Sequence, residues 1–113
     1  MMQDWNAYRD SLMSRIGDFA NLSPDVLSGM KTIENSAAKN GKLEPKIHAL
    51  IALAVAVTTR CDGCISVHAQ KAVELGASNE EIAEALGTTI LLNAGAALAY
   101  TARVFDTIEA LPK

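Results

Sequence analysis

An unbroken run of nine apolar residues, from Ala49 to Val57, constrains the fold of this chain more than any other feature. A membrane-spanning helix needs about 20 such residues, so this run is too short to cross a bilayer. A buried strand is the competing interpretation of a short apolar run, but four of the nine residues are alanine, which favours a helix. We therefore predict a helix that is buried on all sides.

The segments around this run also carry helical signals. Apolar residues at steps of three and four predict a first amphipathic helix over about 4–20, with its apolar stripe in the core. Proline at the first helical position predicts a second helix over 24–39 and a third that opens at Glu44-Pro45 and ends at 58 or 59. The sequence leaves open whether the third helix ends there or continues through the cysteines as far as Leu75.

Capping signals mark the remaining helices. Gly76 suits a left-handed position at the end of a fourth helix, and Ser78 to Glu81 has the spacing of a capping box that starts a fifth. The fifth helix should point three apolar side chains inward, those of Ile82, Leu86 and Ile90. The segment Asn93-Ala94-Gly95 should interrupt it, and a sixth helix should follow, supported by the spacing of Leu98, Ala102, Phe105 and Leu111.

No segment predicts a strand, and with half of the residues apolar but only 4% aromatic, the core suits closely packed helices. We predict an all-α fold, a compact bundle of five to six helices, in a single domain over 1–113. The N-terminal helices occupy 1–42 and the core motif region 43–100. The net charge of -3 provides no basic face, which argues against nucleic acid or membrane partners. The N-terminus lacks a secretory signal, so we expect a cytoplasmic protein.

Both cysteines and one of the two histidines lie within residues 60–68. Cys61 and Cys64 can close a disulfide across a single turn, and His68 lies four residues after Cys64, on the same face of a helix. The thiolate attacks peroxides and disulfides, so a base beside a thiol pair indicates redox chemistry. Arg60 and a helix N-terminus would favour the thiolate and Asp62 would oppose it, so charge alone does not decide which cysteine is more acidic.

The same residues allow other interpretations. Cys61, Cys64 and His68 supply three zinc ligands and His48 could be a fourth, although the two-plus-two spacing of zinc modules is absent. The pair could also be a redox sensor without turnover, or an inert pair in a structural oligomer. His48, alone on an apolar helix, is more typical of a structural histidine.

Four features, in chain order, resemble the carboxymuconolactone decarboxylase family in its alkylhydroperoxidase D-like branch. They are Leu43-Glu44-Pro45-Lys46, the apolar run 50–57, Cys61-Asp62-Gly63-Cys64 with His68, and Gly76-Ala77-Ser78 before Glu80-Glu81-Ile82. The resemblance implies an all-helical fold that assembles into trimers or hexamers. It also implies reduction of hydroperoxides or disulfides, with Cys61 and Cys64 as the redox pair and His68 in their proton relay. We expect no cofactor and no metal, but a reductant protein that restores the dithiol.

The chain departs from this family pattern at Ala49. Peroxidase-type members usually carry a glutamate at this position, twelve residues before the first cysteine, to complete the relay. His48 is adjacent but lies about 100° around the helix, and the other candidate partners are Glu44, Glu34 or a residue of another subunit. Without such a partner we expect weaker peroxidase activity or a preference for disulfides. The family's decarboxylases generally lack the thiol pair, so lactone decarboxylation is a remote alternative.

Overall fold

The computed structural model describes all 113 residues, which form six helices and no strand. The helices are α1 (Trp5–Leu22), α2 (Pro24–Lys39), α3 (Pro45–Thr58), α4 (Asp62–Glu74), α5 (Asn79–Tyr100) and α6 (Ala102–Ala110). This confirms the predicted all-α fold.

The third helix is the centre of the packing. It contacts α4 on one flank and α5 on the other, and α1 packs against α4. Ala49, Leu53 and Ala56 of α3 are buried, whereas Ile51 and Val55 are half exposed. The prediction that this apolar run is buried on all sides is therefore wrong, because α4 and α5 cover only the face on which residues recur at steps of four and three.

The chain breaks between α3 and the cysteines, which decides the question that the sequence left open. Arg60 adopts a left-handed conformation with φ of 53°, a position that glycine usually occupies. The N–H of Arg60 then donates to the Val57 carbonyl, and that of Cys61 donates to the Ala56 carbonyl at 3.0 Å. These two bonds satisfy the last carbonyls of α3 and redirect the chain, so that Cys61 starts a new helix.

The fifth helix begins as predicted but does not stop where predicted. Ser78 and Glu81 form both hydrogen bonds of the capping box, each at 3.0 Å. Beyond them α5 runs unbroken through 93–95 to Tyr100, because the alanines around Gly95 are strong helix formers and offset its low propensity. The predicted interruption at Asn93-Ala94-Gly95 is wrong.

Helices α3 and α5 lie side by side and run in the same direction. At their N-terminal ends, Lys46 Nζ lies 2.7 Å from Glu81 Oε2; near the C-terminal end of α3, the Asn93 amide donates to the Thr58 hydroxyl at 2.9 Å. The hydrogen bond with Glu81 holds the pKa of Lys46 above its ordinary value, and the same bond lowers the pKa of Glu81. The Lys46–Glu81 ion pair and the hydrogen bond between Asn93 and Thr58 together set the register of the two helices.

This register determines which side chains of α5 face the core. Ile82 and Leu86 are partly buried, as predicted. The next inward position is Thr89, 6% exposed, while Ile90 is 67% exposed. The inward prediction for Ile90 is wrong because the helical repeat continues from Leu86 to Thr89 instead.

Candidate functional site

Cys61 and Cys64 form a disulfide at the start of α4. Their Cα atoms are 5.2 Å apart, and both side chains are partly buried. Cys61 is the N-cap residue, and its Sγ accepts a hydrogen bond from the backbone N–H of Cys64 at 3.1 Å. Free N–H groups at a helix N-terminus stabilise negative charge, so the thiol pair lies where a thiolate is favoured once the disulfide is reduced.

Helix α1 packs directly on the turn between the two cysteines. A Cβ atom on Gly63 would lie 2.7 Å from Cδ2 of Leu12, so a larger residue at this position would require the Leu12 side chain to shift. The Arg9 guanidinium donates to the Ser66 carbonyl at 3.1 Å, and the Ser66 hydroxyl donates to the Gly63 carbonyl at 2.9 Å. Sequence reasoning missed the roles of Leu12 and Arg9 at this site, because they depend on a contact between distant segments. The one available signal of a close contact here was Gly63, between the two cysteines.

His68 lies on α4 one turn beyond Cys64 and lines a cavity of about 500 Å³. The same cavity is lined by Glu34, Glu44 and His48, so the structure brings together every candidate relay residue named from the sequence. Neither cysteine lines this cavity. The only hydrogen bond to either sulfur comes from the Cys64 N–H, so none comes from His68 in this disulfide form.

Comparison with known proteins decides the family. Residues 24–107, about three-quarters of the chain, match the carboxymuconolactone decarboxylase family. The chain belongs to this family. The match confirms the resemblance noted in the sequence, and the thiol pair followed by His68 is consistent with the alkylhydroperoxidase D-like branch.

Two solved structures share the family fold with this chain. One is the apo form of a carboxymuconolactone decarboxylase family protein from Legionella pneumophila, with 31% identity, a TM-score of 0.74, and coverage of 96% of this chain and 97% of that one. The other is a protein from Methanobacterium thermoautotrophicum, with 32% identity, a TM-score of 0.71, and coverage of 79% and 97%.

Two curated relatives match almost end to end. An uncharacterised protein of Haemophilus influenzae is 43% identical over 94% of both chains, and one of Cupriavidus necator is 26% identical over 98% of both. They match this chain over nearly their whole length, and both are uncharacterised.

The geometry does not favour the zinc alternative for this family member. No group of three histidine, cysteine or acidic side chains converges closely enough to hold a metal ion. Cys61 and Cys64 bond to each other, and His48 and His68 lie along a cavity that the cysteines do not line. The four candidate ligands therefore do not form a tetrahedral set.

Proposed function

We propose that this protein is a cytoplasmic thiol oxidoreductase that reduces hydroperoxides or disulfides through Cys61 and Cys64, in defence against oxidants. The observation that carries the proposal is the disulfide between these residues at the N-terminus of α4. Two cysteines so placed can interconvert between dithiol and disulfide, and the chain has no other cysteine to compete with them.

With a hydroperoxide, one thiolate attacks the outer oxygen and breaks the O–O bond. The product is a sulfenic acid on the protein, and the substrate leaves as an alcohol after it takes up a proton. The second thiol then condenses with the sulfenic acid, which forms the disulfide and releases water. A reductant protein returns two electrons and two protons to restore the dithiol.

A disulfide substrate would follow the same route without a sulfenic acid. The attacking thiolate forms a mixed disulfide with the substrate and releases one substrate thiol. The second cysteine then resolves the mixed disulfide and releases the other thiol. Both routes need a base that accepts the proton of the attacking cysteine, and we assign this role to His68.

The proton relay also needs a residue that partners His68. The family glutamate is replaced by Ala49, and Glu34, Glu44 and His48 line the cavity with His68. A residue of another subunit is the further candidate. We expect lower peroxidase activity than in family members that carry the glutamate, and a relative preference for disulfides.

A turnover assay with matched variants tests the proposal. Purified protein would be given cumene hydroperoxide or a small aryl disulfide, with excess dithiothreitol as reductant, and substrate loss would be followed. Turnover by the parent should disappear in the double variant Cys61→Ser and Cys64→Ser but persist in Thr59→Ser, whose hydroxyl bonds only within its own helical turn. If the parent turns over neither substrate above the dithiothreitol background, the enzyme proposal is wrong and a redox sensor becomes the better account.

We also propose that the chain assembles with copies of itself, as a trimer or hexamer. The Cα radius of gyration is 18.7 Å, whereas a compact chain of this length has about 13 Å. Only 7 of the 113 residues are buried. A chain that leaves so much apolar surface in water is stabilised by covering that surface.

The segment Asn79–Ala110 is long and apolar enough to cross a membrane, judged by length and composition alone. Two observations favour subunit contacts instead. The first part of this segment packs along α3, and large apolar residues are exposed on α1, α2 and α3 as well, including Phe19, Ile33 and Val55. Apolar surface spread over several helices suits packing between subunits better than one membrane-crossing band.

A further inference from the structure

The cavity beside His68 is lined by two lysines that form no ion pair within the chain. Lys42, from the loop between α2 and α3, and Lys71, from α4, both line it. Neither forms one of the chain's three ion pairs, although the chain as a whole has a net charge of -3. A negatively charged group of a ligand would therefore find partners here.

The two carboxylates at the cavity, Glu34 and Glu44, form no ion pair with these lysines. Glu34 Oε2 pairs with Lys31 Nζ at 3.6 Å, and Glu44 lies close enough to Lys46 to act on its charge. Lys71 lies three residues after His68 on α4, which places the two side chains on one face of the helix.

The rest of the lining is apolar and made of small or compact side chains. Leu43, Pro45 and Leu75 contribute hydrocarbon surface, while Ala49 and Ala52 leave free volume at the side of α3. A cavity of about 500 Å³ lies in the range that accommodates small organic molecules. A ligand that matches this lining has a hydrocarbon body and one anionic group.

We propose that this cavity binds the substrate, and that the substrate is a small organic acid: a hydroperoxide or disulfide whose carboxylate pairs with Lys42 and Lys71. The inference rests on the proposed function, because it places the reacting group of such an acid near α4. The carboxylate anchors the molecule at the lysines, and its hydrocarbon body contacts the apolar lining. The peroxide or disulfide bond breaks as described above, and the carboxylate is unchanged in the product.

A pair of matched peroxides tests this substrate class. Cumene hydroperoxide and its para-carboxylic acid differ only in the anionic group. The parent should turn over the acid with a kcat/KM at least about tenfold higher, a difference of about 1.4 kcal/mol. Lys71→Met and Lys42→Met should each reduce this ratio severalfold. Lys39→Met, a change of an exposed lysine of α2 outside the cavity lining, should keep the parent's ratio.

Binding gives a second readout that does not need turnover. 4-Isopropylbenzoate should shift the ring NMR signals of His48 and His68 in the parent, and more weakly in Lys71→Met; the neutral 4-isopropylbenzyl alcohol should not shift them. Equal turnover of the two peroxides overturns the inference while the proposed function stands. If the protein reacts with neither peroxide nor the aryl disulfide of the turnover assay, the proposed function fails. Binding of 4-isopropylbenzoate would then support an anion-binding cavity without this chemistry. If the benzoate also leaves both rings unshifted, the cavity proposal is overturned as well.

Discussion

Within α4, His68 lies one turn beyond Cys64 and faces the cavity that also holds His48. Residues four apart on a helix are neighbours, so the imidazole can reach the Cys64 thiol once the disulfide opens. Histidine exchanges protons near neutral pH, which suits it to take the proton of an attacking thiol. Cys61, as the N-cap, lies beside the free N–H groups of the first turn instead. The two cysteines therefore have different surroundings despite their similar place in the sequence.

The role of His68 can be measured through the reactivity of the cysteine whose proton it accepts. In reduced protein near pH 7, His68→Ala should slow alkylation of the reactive cysteine by iodoacetamide by roughly tenfold, because alkylation follows the thiolate population. Gln70→Ala serves as the matched control, since it shortens an exposed side chain of the same helix that does not line the cavity, and we expect little change in its rate. An unchanged rate in His68→Ala, with the helical circular dichroism intact, would exclude the relay role.

At the scale of single elements, local signals predicted where several helices begin and where α4 ends. Gly76 has the left-handed conformation expected of it, with φ of 87°, and Ser78 caps α5 as its spacing predicts. Exposure could not be predicted in the same way, because it depends on which helices pack together. The apolar run of α3 is covered on one face only, and Ile90 is exposed because Thr89 occupies the inward position. Arg60 gave no signal at all, since its left-handed conformation is imposed on a residue that rarely adopts it.

The exposed face of α5 and α6 leads to a prediction about assembly. Leu98 and Phe105 are both more than 70% exposed, and covering them stabilises a complex of several chains. At about 10 µM, the parent should sediment as a trimer or hexamer of its 12.0 kDa chain. The double variant Leu98→Asp and Phe105→Asp should shift to smaller species. The control Thr107→Asp, which adds a charge to α6 without removing an apolar side chain, should shift less.

Two results would contradict this account of the apolar surface. A parent that sediments as a monomer at this concentration would mean that the exposed face does not bind other copies. A parent that stays in solution only with detergent, and binds vesicles through α5, would point to a membrane partner instead.

For the whole molecule, one chain supplies both cysteines, His68 and the neighbouring cavity, and only the relay partner of His68 has a candidate in another subunit. The cysteines and His68 were identifiable from sequence because they lie within eight residues of one another. The cavity was not, because Glu34, His48 and Lys71 come from three different helices and meet only after α2, α3 and α4 pack. Sequence spacing reports neighbours along a helix, not neighbours across a fold.

The central claim is that Cys61 and Cys64 form a reversible redox pair that reacts with an oxidising substrate. Intact mass measures it most directly: fully reduced protein would be weighed before and after one equivalent of cumene hydroperoxide, with Cys64→Ser alongside. The account predicts that the parent loses two hydrogens within minutes, as the disulfide forms. If Cys61 attacks first, the variant should gain one oxygen as a sulfenic acid. The account would be contradicted if the mass of the parent changed neither with this peroxide nor with an aryl disulfide given in the same way.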